Sequence, residues 1–449
     1  MINEKSAKII TETIPGPKSL ELFEKKQKYV ARGIGVSSKL FVEESKGALL
    51  KDVDGNVFID FAAGIGVQNV GHCDDEVVAA VKEQVEKLIH PSFNVCMYEP
   101  YVELAEKLVE KTPGDYAKKL IFANSGAEAV ENAVKIARKY NGKPIVLSLE
   151  NAFHGRTYMA MTLTSKVKPY KDGFAPFNTD TFKIPSANCY RCEFSDAKYP
   201  ECGLKCAKRV RTLLKGELSP DTVSAMIVEP VQGEGGFIVP PKEYLQELQK
   251  ICNENNIVFI VDEIQAGFAR TGKLFASENF DIEPDIITLS KSIAAGLPLS
   301  AVVGKEEIME APIPGSIGGT YSGNPVACVA GLKVLEKIER DNLCQRANEI
   351  GEIIKGRMNE LMEKCAYIGD VRGIGAMVGV EFVKDKESKE PYKEIVGKIC
   401  DYCLQKGVVF ISAGIFSNVV RFLPPLVMTD EQLEYGLSVL EEAILSVAK

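Results

Sequence analysis

The segment Asp285-Ile-Ile-Thr-Leu-Ser-Lys291-Ser-Ile-Ala-Ala-Gly296-Leu-Pro298-Leu is the most informative stretch of this 449-residue chain. Its β-branched apolar run predicts a short buried strand, and the small residues that follow predict a turn with few bulky side chains near Lys291. Because burial penalises an ammonium group, we expect the pKa of Lys291 to be lowered and its amine to be available as a nucleophile. A lysine at a strand end can also simply reach into solvent, so evidence from the rest of the chain is needed to distinguish a catalytic Lys291 from a solvated one.

Composition and charge narrow the class of protein. The chain is 45% hydrophobic and 26% charged, which is typical of soluble globular proteins. Its net charge of −8 argues against a general nucleic-acid-binding surface. The N-terminus lacks the apolar core of a signal peptide, and no apolar run has the length of a transmembrane helix. With twelve cysteines and no secretion signal, we expect reduced thiols and a cytoplasmic protein without membrane or nucleic-acid partners.

The middle of the chain alternates between helical and strand-like patterns. Strand-like runs, most of whose residues are apolar, occur at residues 119–122, 144–149, 223–228, 257–261 and 285–289. Helical periodicity appears at residues 77–88, 101–109 and 244–253. Short apolar strands that alternate with helices predict an α/β fold, with a mainly parallel central sheet covered by helices on both faces.

The two ends of the chain follow a different pattern. Asp54-Gly55 between apolar runs predicts a hairpin within residues 39–60. After about residue 325 the sequence is rich in helical patterns, with later strands expected at residues 376–382, 408–411 and 419–422. We expect an N-terminal segment (1–60) that packs with a smaller C-terminal α+β domain (330–449), and a large domain between them (61–329).

Residues after the first two predicted strands are suited to bind a ligand. In open α/β sheets, ligands bind at the carboxyl ends of the strands. Gly126 and Ala127 open a helix after the first strand, where free N–H groups and the helix dipole suit a phosphate. Phe153, His154 and Arg156 follow the second strand. Taken singly, the first motif also fits a capped helix, and Phe153 also fits the core.

The next three strand ends carry acids and the lysine. Glu229 and Glu234 flank a glycine-rich turn after the third, a pattern that a solvated loop would also show. Asp262 directly follows the fourth, where a carboxylate can pair with a pyridinium nitrogen or cap the next turn. Lys291 follows the fifth. The convergence of five such motifs on one sheet edge favours a single active site.

Together these motifs resemble the class III (ω-) aminotransferase family, and within it the 4-aminobutyrate aminotransferases most closely. The resemblance runs from about residue 18 to the end. It is carried by Ser125-Gly-Ala-Glu-Ala-Val-Glu-Asn-Ala-Val-Lys-Ile-Ala-Arg138, Phe153-His-Gly-Arg-Thr157, Glu229-Pro-Val-Gln-Gly-Glu-Gly-Gly236, Asp262-Glu-Ile-Gln-Ala-Gly-Phe-Ala-Arg-Thr-Gly272, Lys291, Gly319-Thr-Tyr-Ser-Gly-Asn-Pro325 and Arg421-Phe-Leu-Pro-Pro425. It implies fold-type I, pyridoxal 5'-phosphate as cofactor, and a homodimer or dimer of dimers with shared active sites.

The resemblance also implies a role for each matching residue that contacts the cofactor. Lys291 would hold the cofactor and shuttle the proton, Asp262 would pair with the pyridine nitrogen, and Gln265 would bond the ring hydroxyl. Phe153 would stack on the ring, and His154 would support the site rather than act as a general base. The phosphate would be bound by the backbone of Gly126 and Ala127, and by Thr320 from the partner subunit.

A second set of residues would bind the substrates. Arg156 and Arg421 would bind carboxylates, since the arginine fork matches a carboxylate bidentately. Glu229 would lie nearby, and Ile65 would line the pocket. An ω-amino acid has no carboxylate on its reacting carbon and would leave Arg421 buried and unpaired, which is costly. In the family, the residue matching Glu234 pairs with that arginine and swings away when a dicarboxylate binds.

The expected activity is therefore amino transfer from an ω-amino acid to 2-oxoglutarate, giving a semialdehyde and L-glutamate. The donor would be 4-aminobutyrate or a close homologue such as 5-aminovalerate. An acetylornithine- or ornithine-type aminotransferase remains an alternative, since pocket depth decides the donor. A racemase or epimerase on the same fold also remains open, although it has less use for Arg156. A pyridoxal-phosphate-binding protein without catalysis is disfavoured by the intact Lys291, Asp262 and Arg421.

One insertion departs from the common pattern. Cys189, Cys192, Cys202 and Cys206 form a C-x2-C-x9-C-x3-C motif between two predicted strands. Four cysteines at such spacing can hold zinc or an iron–sulfur cluster. Because the spacing is irregular for a zinc ribbon, we favour free thiols in a surface insertion and expect no metal cofactor.

Overall fold

The computed structural model describes residues 2 and 4–447 of the chain. Its strands form three separate sheets. They are β1 (Val42–Lys46), β2 (Leu49–Asp52), β3 (Val57–Asp60), β4 (Lys118–Ala123), β5 (Ile145–Leu149), β6 (Thr181–Ile184), β7 (Val223–Val228), β8 (Val258–Asp262), β9 (Ile286–Leu289), β10 (Ser300–Lys305), β11 (Ile368–Ile374), β12 (Met377–Phe382), β13 (Val408–Val409), β14 (Ile411–Ala413) and β15 (Val419–Phe422).

Helices fill most of the sequence between the strands. They are α1 (Pro17–Tyr29), α2 (Ala63–Gly66), α3 (Asp75–Lys87), α4 (Glu99–Lys111), α5 (Gly126–Asn141), α6 (Tyr158–Leu163), α7 (Lys205–Gly216), α8 (Lys242–Glu254), α9 (Glu306–Met309), α10 (Pro325–Arg340), α11 (Leu343–Lys364), α12 (Lys393–Gln405) and α13 (Asp430–Val447). Within residues 2 and 4–447, no helix has both the length and the apolar character needed to span a bilayer.

The largest sheet has seven strands in the order β4-β10-β9-β8-β7-β5-β6. Neighbours from β9 through β6 are parallel, and β10 is antiparallel to both of its neighbours. The predicted mainly parallel sheet is thus confirmed, and each of the five predicted strands is present within one or two residues. The short edge strand β6 and the antiparallel β10 were not predicted.

Both faces of this sheet are covered, as the mostly apolar runs predicted. Val258 and Ile260 of β8 lie in one apolar core with Val130 of α5. Phe259 and Val261 alternate to the other face, where they join a second core that includes residues of α7 and α8. Because successive side chains of a strand point to opposite faces, a strand that is apolar throughout needs a cover on each side.

The two smaller sheets combine distant parts of the sequence. The predicted N-terminal hairpin forms β2 and β3 around Asp54-Gly55. Strand β13, from the C-terminal part of the chain, pairs in parallel with β3, so one sheet in the order β1-β2-β3-β13 combines the N-terminal hairpin with a C-terminal strand. The other sheet, β11-β12-β15-β14, is antiparallel throughout. The division at residues 60 and 330 stays a prediction.

Candidate active site

A cavity of about 190 Å³ lies where the parallel strands of the large sheet end. It contains nine of the residues singled out from the sequence, which come from five separate segments of the chain. The lining consists of Gly126, Ala127, Phe153, His154, Gly155, Glu229, Glu234, Asp262, Ile264, Gln265, Ser290 and Lys291. The predicted convergence of the strand ends is therefore present in the structure.

Lys291 lies on the floor of this cavity in an unusual backbone conformation. It opens a short 3-10 turn after β9, and its φ is +50°. A non-glycine residue in the left-handed region costs about 1–3 kcal/mol, a strain that is common at functional sites. Burial lowers the pKa of Lys291, although the carboxylates of Glu234 and Asp262 oppose this shift. The lysine is therefore suited to act as a neutral amine.

A buried hydrogen-bonded pair stands beside the lysine. The Oδ2 of Asp262 lies 2.7 Å from Nδ1 of His154, and both residues are almost fully buried. The Ile264 N–H donates to the other carboxylate oxygen of Asp262 at 3.1 Å. The Nε2 of His154 is buried without a hydrogen-bond partner in the described structure. These contacts fix the Asp262 carboxylate at the carboxyl end of β8.

The N-terminus of α5 forms another wall of the cavity. Ser125 caps this helix by accepting the Glu128 N–H at 3.3 Å, and the first N–H groups of a helix have no partner within it. The chain approaches closely here, since a Cβ added to Gly126 would lie 2.9 Å from Ile264 Cδ1. A Cβ added to Gly155 would lie 2.8 Å from the Ala127 Cβ. Small residues thus leave room for an anion at the helix end.

Glu229 fastens two loops that line the cavity. Its carboxylate accepts the Phe153 N–H at 2.8 Å and the Gly233 N–H at 3.0 Å. Burial, with the nearby charge of Asp262, raises the pKa of Glu229 to about 8. Gly233 must lack a side chain, because an added Cβ would lie 2.0 Å from Oε1 of Gln265. That oxygen is buried and has no partner in the described structure.

The outer part of the site is dominated by an ion pair. Glu234, on the loop after β7, binds the guanidinium of Arg421, on β15. Both side chains are mostly buried, at 15% and 6% exposure. Burial alone would raise the pKa of Glu234, but the charge and hydrogen bond of Arg421 outweigh it and the pKa is lowered. The Nε of Arg421 is buried without a partner in the described residues.

Sequence reasoning missed one residue of this region, Tyr170. Its hydroxyl donates to Oε2 of Glu234 at 3.1 Å, and its ring lies 4.9 Å from the ring of Phe153. The guanidinium of Arg156, an otherwise exposed side chain, lies 5.1 Å from the same ring. Tyr170 stands in a segment without helical or strand periodicity, 64 residues before Glu234, so no local signal indicated its contacts.

Four predicted site residues are not part of the lining of this cavity. Arg421 and Arg156 lie at its outer side, where they contact Glu234 and Tyr170. Thr320 is exposed, in the loop before α10. Ile65 is 44% exposed with a φ of +68°. Its neighbour Gly66 approaches the site, since an added Cβ there would lie 3.8 Å from Cγ of Gln265.

The four cysteines of the insertion surround a different, smaller cavity. Cys206 is buried there, Cys202 is partly exposed, and Cys189 and Cys192 are exposed. Across residues 2 and 4–447, no three or more His, Cys, Asp or Glu side chains are grouped so as to hold a metal ion. The state of these thiols stays a prediction, which metal analysis of the purified protein tests.

Comparison with known proteins supplies the family. Residues 29–444 match the sequence profile of the aminotransferase class-III family. The chain belongs to this family. It is 48% identical to a probable 4-aminobutyrate aminotransferase of Bacillus subtilis, over 94% of this chain and 96% of the relative. It is 42% identical to the 5-aminovalerate aminotransferase DavT of Pseudomonas aeruginosa, over 95% of this chain and 98% of the relative.

A solved structure supports the same conclusion. An amine transaminase from an uncultivated Pseudomonas species, crystallised in its pyridoxal-phosphate-bound form, has a TM-score of 0.86 to this chain. It is 29% identical, and the match covers 93% of this chain and 98% of that one. The protein is thus an aminotransferase of the predicted α/β fold-type I class, which acts on an amino donor and a keto acid.

The groups that line the cavity match the chemical groups of pyridoxal phosphate. The glycine-lined end of α5 offers N–H groups for a phosphate, and the unpartnered Gln265 Oε1 accepts a hydrogen bond from a ring hydroxyl. The buried Asp262 carboxylate suits a protonated ring nitrogen, and the half-buried ring of Phe153 offers a face for stacking. Lys291 provides an amine of lowered pKa on the same cavity.

Proposed function

We propose that this aminotransferase moves the amino group of an ω-amino acid to 2-oxoglutarate, yielding the semialdehyde and L-glutamate. The donor is 4-aminobutyrate or a close homologue such as 5-aminovalerate. The observation that carries the proposal is the mostly buried ion pair between Glu234 and Arg421. It neutralises Arg421 when the reacting carbon has no carboxylate, and it leaves an arginine fork for the α-carboxylate of glutamate when Glu234 turns away.

The chain's residues divide the work around pyridoxal 5'-phosphate. When bound, this cofactor supplies an electron sink for the carbon that loses its proton. Lys291 holds the cofactor, and its amine, at lowered pKa, then takes and returns the proton of the substrate carbon. Asp262, fixed by His154, keeps the ring nitrogen protonated. Gln265 binds the ring hydroxyl and Phe153 covers one ring face, while Gly126 and Ala127 bind the phosphate through backbone N–H groups.

The substrate is oriented from the outer side of the cavity. Arg156 binds the distal carboxylate, which both 4-aminobutyrate and glutamate possess, and its exposed position suits an entering ligand. Arg421 binds the carboxylate that only glutamate and 2-oxoglutarate carry on the reacting carbon. Glu229 fixes the loops that carry Phe153 and Gly233 relative to each other, and Ile65 lines the entrance to the substrate pocket.

The working enzyme is a homodimer or dimer of dimers in the cytoplasm, in which Thr320 binds the phosphate of the partner subunit. An exposed apolar patch around Thr320 supports this assembly. Val95, Met97 and Tyr321 are 78%, 80% and 65% exposed. The segments are neighbours, because the ring of His90 lies 5.0 Å from that of Tyr321. The twelve cysteines, none of them in a disulfide, support a reducing compartment.

A donor panel tests the proposal. Conversion of the bound cofactor is followed by absorbance after addition of 4-aminobutyrate, 5-aminovalerate, β-alanine, ornithine, acetylornithine or glutamate. We expect 4-aminobutyrate or 5-aminovalerate, together with glutamate, to convert the cofactor fastest. If only α-amino acids react, the ω-amino acid proposal is wrong. Chiral chromatography of an L-amino acid incubated without a keto acid identifies a racemase.

A further inference from the structure

The ion pair between Glu234 and Arg421 has a third member. The two carboxylate oxygens of Glu234 have different partners: Oε1 accepts from the guanidinium of Arg421, and Oε2 accepts from the Tyr170 hydroxyl at 3.1 Å. When Glu234 turns away from Arg421, this second hydrogen bond must also break or move. The strength of the Tyr170 bond therefore contributes to the free energy of opening the pair.

Tyr170 is held in place independently of Glu234. Its ring lies 4.9 Å from the Phe153 ring, and the Arg156 guanidinium lies 5.1 Å from its centroid, within range of a cation–π contact. The following residue, Lys171, donates to the carbonyl of Thr164 at 3.2 Å and so ties the segment to the end of α6. A hydroxyl on such a fixed ring cannot follow a carboxylate that rotates away.

The same segment also fixes the backbone of the glutamate. Lys166 donates to the Gly414 carbonyl at 2.8 Å and to Oγ of Ser417 at 2.9 Å. The Gly414 N–H in turn donates to the backbone carbonyl of Glu234 at 3.0 Å. Because the main chain is tied down in this way, opening has to be a rotation of the Glu234 side chain. Such a rotation breaks the bonds to Arg421 and Tyr170.

We propose that Tyr170 is a specificity-determining positioning residue, whose hydroxyl holds Glu234 on Arg421 and so weakens the binding of substrates with a carboxylate on the reacting carbon. This inference rests on the proposed function, because it assigns Glu234 the part of the movable partner. Tyr170 touches the side chains that handle both carboxylates, Arg156 directly and Arg421 through Glu234. It therefore sets the balance between the two substrate classes without touching the reacting atoms.

The test is Tyr170→Phe, which removes the hydroxyl and keeps the ring contacts. In the free enzyme and with an ω-amino acid the ion pair is closed, so kcat/KM for 4-aminobutyrate should stay within twofold of wild type. Glutamate requires the open state, so its kcat/KM should rise about 3- to 10-fold, the factor of one net hydrogen bond. The dissociation constant of glutarate, an unreactive dicarboxylate, should fall by the same factor in calorimetry on the holoenzyme.

Two further variants make the outcome specific. Tyr435→Phe deletes a hydroxyl that donates to the Lys406 carbonyl at 3.0 Å, away from the site, and should change neither quantity. In a Glu234→Ala background, Tyr170→Phe should no longer affect glutarate binding, because the acceptor is gone. An equal effect with and without Glu234 would show that the Tyr170 hydroxyl acts through a group other than Glu234 and would overturn the inference.

The failure of this inference can be told apart from that of the proposed function. If Glu234→Ala changes the preference between substrates and Tyr170→Phe does not, the switch stands and Tyr170 has no part in it. If Glu234→Ala also leaves glutarate binding and both substrates unchanged, the switch itself is wrong. The absorbance of bound cofactor in each variant verifies that the site has assembled.

Discussion

The inner and outer ends of the active-site cavity are built in different ways. The inner end comprises Lys291, Asp262 and His154, and the outer end comprises Glu234, Arg421, Arg156 and Tyr170. Each inner residue lies at the end of a strand of the central sheet or shortly after it: Asp262 ends β8, Lys291 follows β9, and His154 follows β5. The outer residues come from β15 of another sheet and from three loops. His154 and Asp262 are 2% and 4% exposed, whereas Arg156 is exposed.

This difference matches the demands on the two ends. Proton transfer requires a base held in one geometry, and adjacent strands of a single sheet provide it. A site that accepts two kinds of substrate needs a group that can change partners. The Glu234–Arg421 pair joins elements from two sheets, and a carboxylate of glutamate or 2-oxoglutarate can replace Glu234 as the partner of the mostly buried Arg421. Substitutions at the inner end should therefore affect both half-reactions equally, and substitutions at the outer end unequally.

The largest effect is expected for Lys291→Ala. Loss of the acid–base group alone lowers rates by roughly 10²–10⁴-fold, and the variant also loses the amine that holds the cofactor. Single-turnover absorbance measurements should show that both half-reactions fall together. Lys107→Ala, on the surface of α4, is the matched control and should behave as wild type. A Lys291→Ala enzyme that kept one half-reaction would contradict the division into two ends.

Asp262→Asn should be the next most severe change. It removes the charge from a buried hydrogen-bonded pair with His154, and loss of one partner of such a pair costs about 3–5 kcal/mol, or roughly 10²–10⁴-fold. Rates with 4-aminobutyrate and with glutamate should decline by the same factor, since both need the same ring charge. His154→Gln should reproduce the pattern more weakly, because it acts only through Asp262. If the rate fell with only one of the two substrates, Asp262 would behave like a residue of the outer end, which would contradict the division.

The same contrast explains what could be predicted from the sequence. Mostly apolar runs of four to six residues marked the central strands, and polar residues at or shortly after their ends marked the inner end. Strand β10 was missed because its apolar run follows the Gly296-Leu-Pro298 turn so closely that it reads as a continuation of the Lys291 loop. Its antiparallel direction depends on pairing with β4 and β9, which local sequence does not encode.

Prediction of the outer end was less complete for a physical reason. Arg421 was identified only through resemblance. Glu234 was noted after a strand but without its partner, because their contact spans 187 residues and two sheets. Tyr170 escaped notice because it lies in an aperiodic loop whose conformation depends on the lysine contacts to distant carbonyls. Loops of this kind are specified by tertiary contacts, whereas periodic elements also carry a local signal.

Glu234→Ala should separate the two substrate classes. Without the carboxylate, an ω-amino acid buries an unpaired Arg421, so the ratio of kcat/KM for 4-aminobutyrate to that for glutamate should fall about 10–100-fold. Glu234→Gln keeps a hydrogen-bond acceptor but loses the charge and should give an intermediate ratio. Both half-reactions are measured separately by cofactor absorbance. Unchanged kcat/KM for both substrates would remove Glu234 from the switch.

The smallest expected effect concerns Glu229, which touches both ends through the Phe153 and Gly233 N–H groups. Burial raises its folded-state pKa to about 8 from an ordinary value of 4.5, so between these values the folded protein holds a proton that the unfolded chain has lost. Stability must then decrease as pH rises through this window. We therefore expect the Tm of cofactor-free Glu229→Gln, relative to the Tm of cofactor-free wild type, to rise from about pH 5 to pH 8. A Tm difference that stays constant over this range would show that the Glu229 carboxyl is ionised, like that of Glu234.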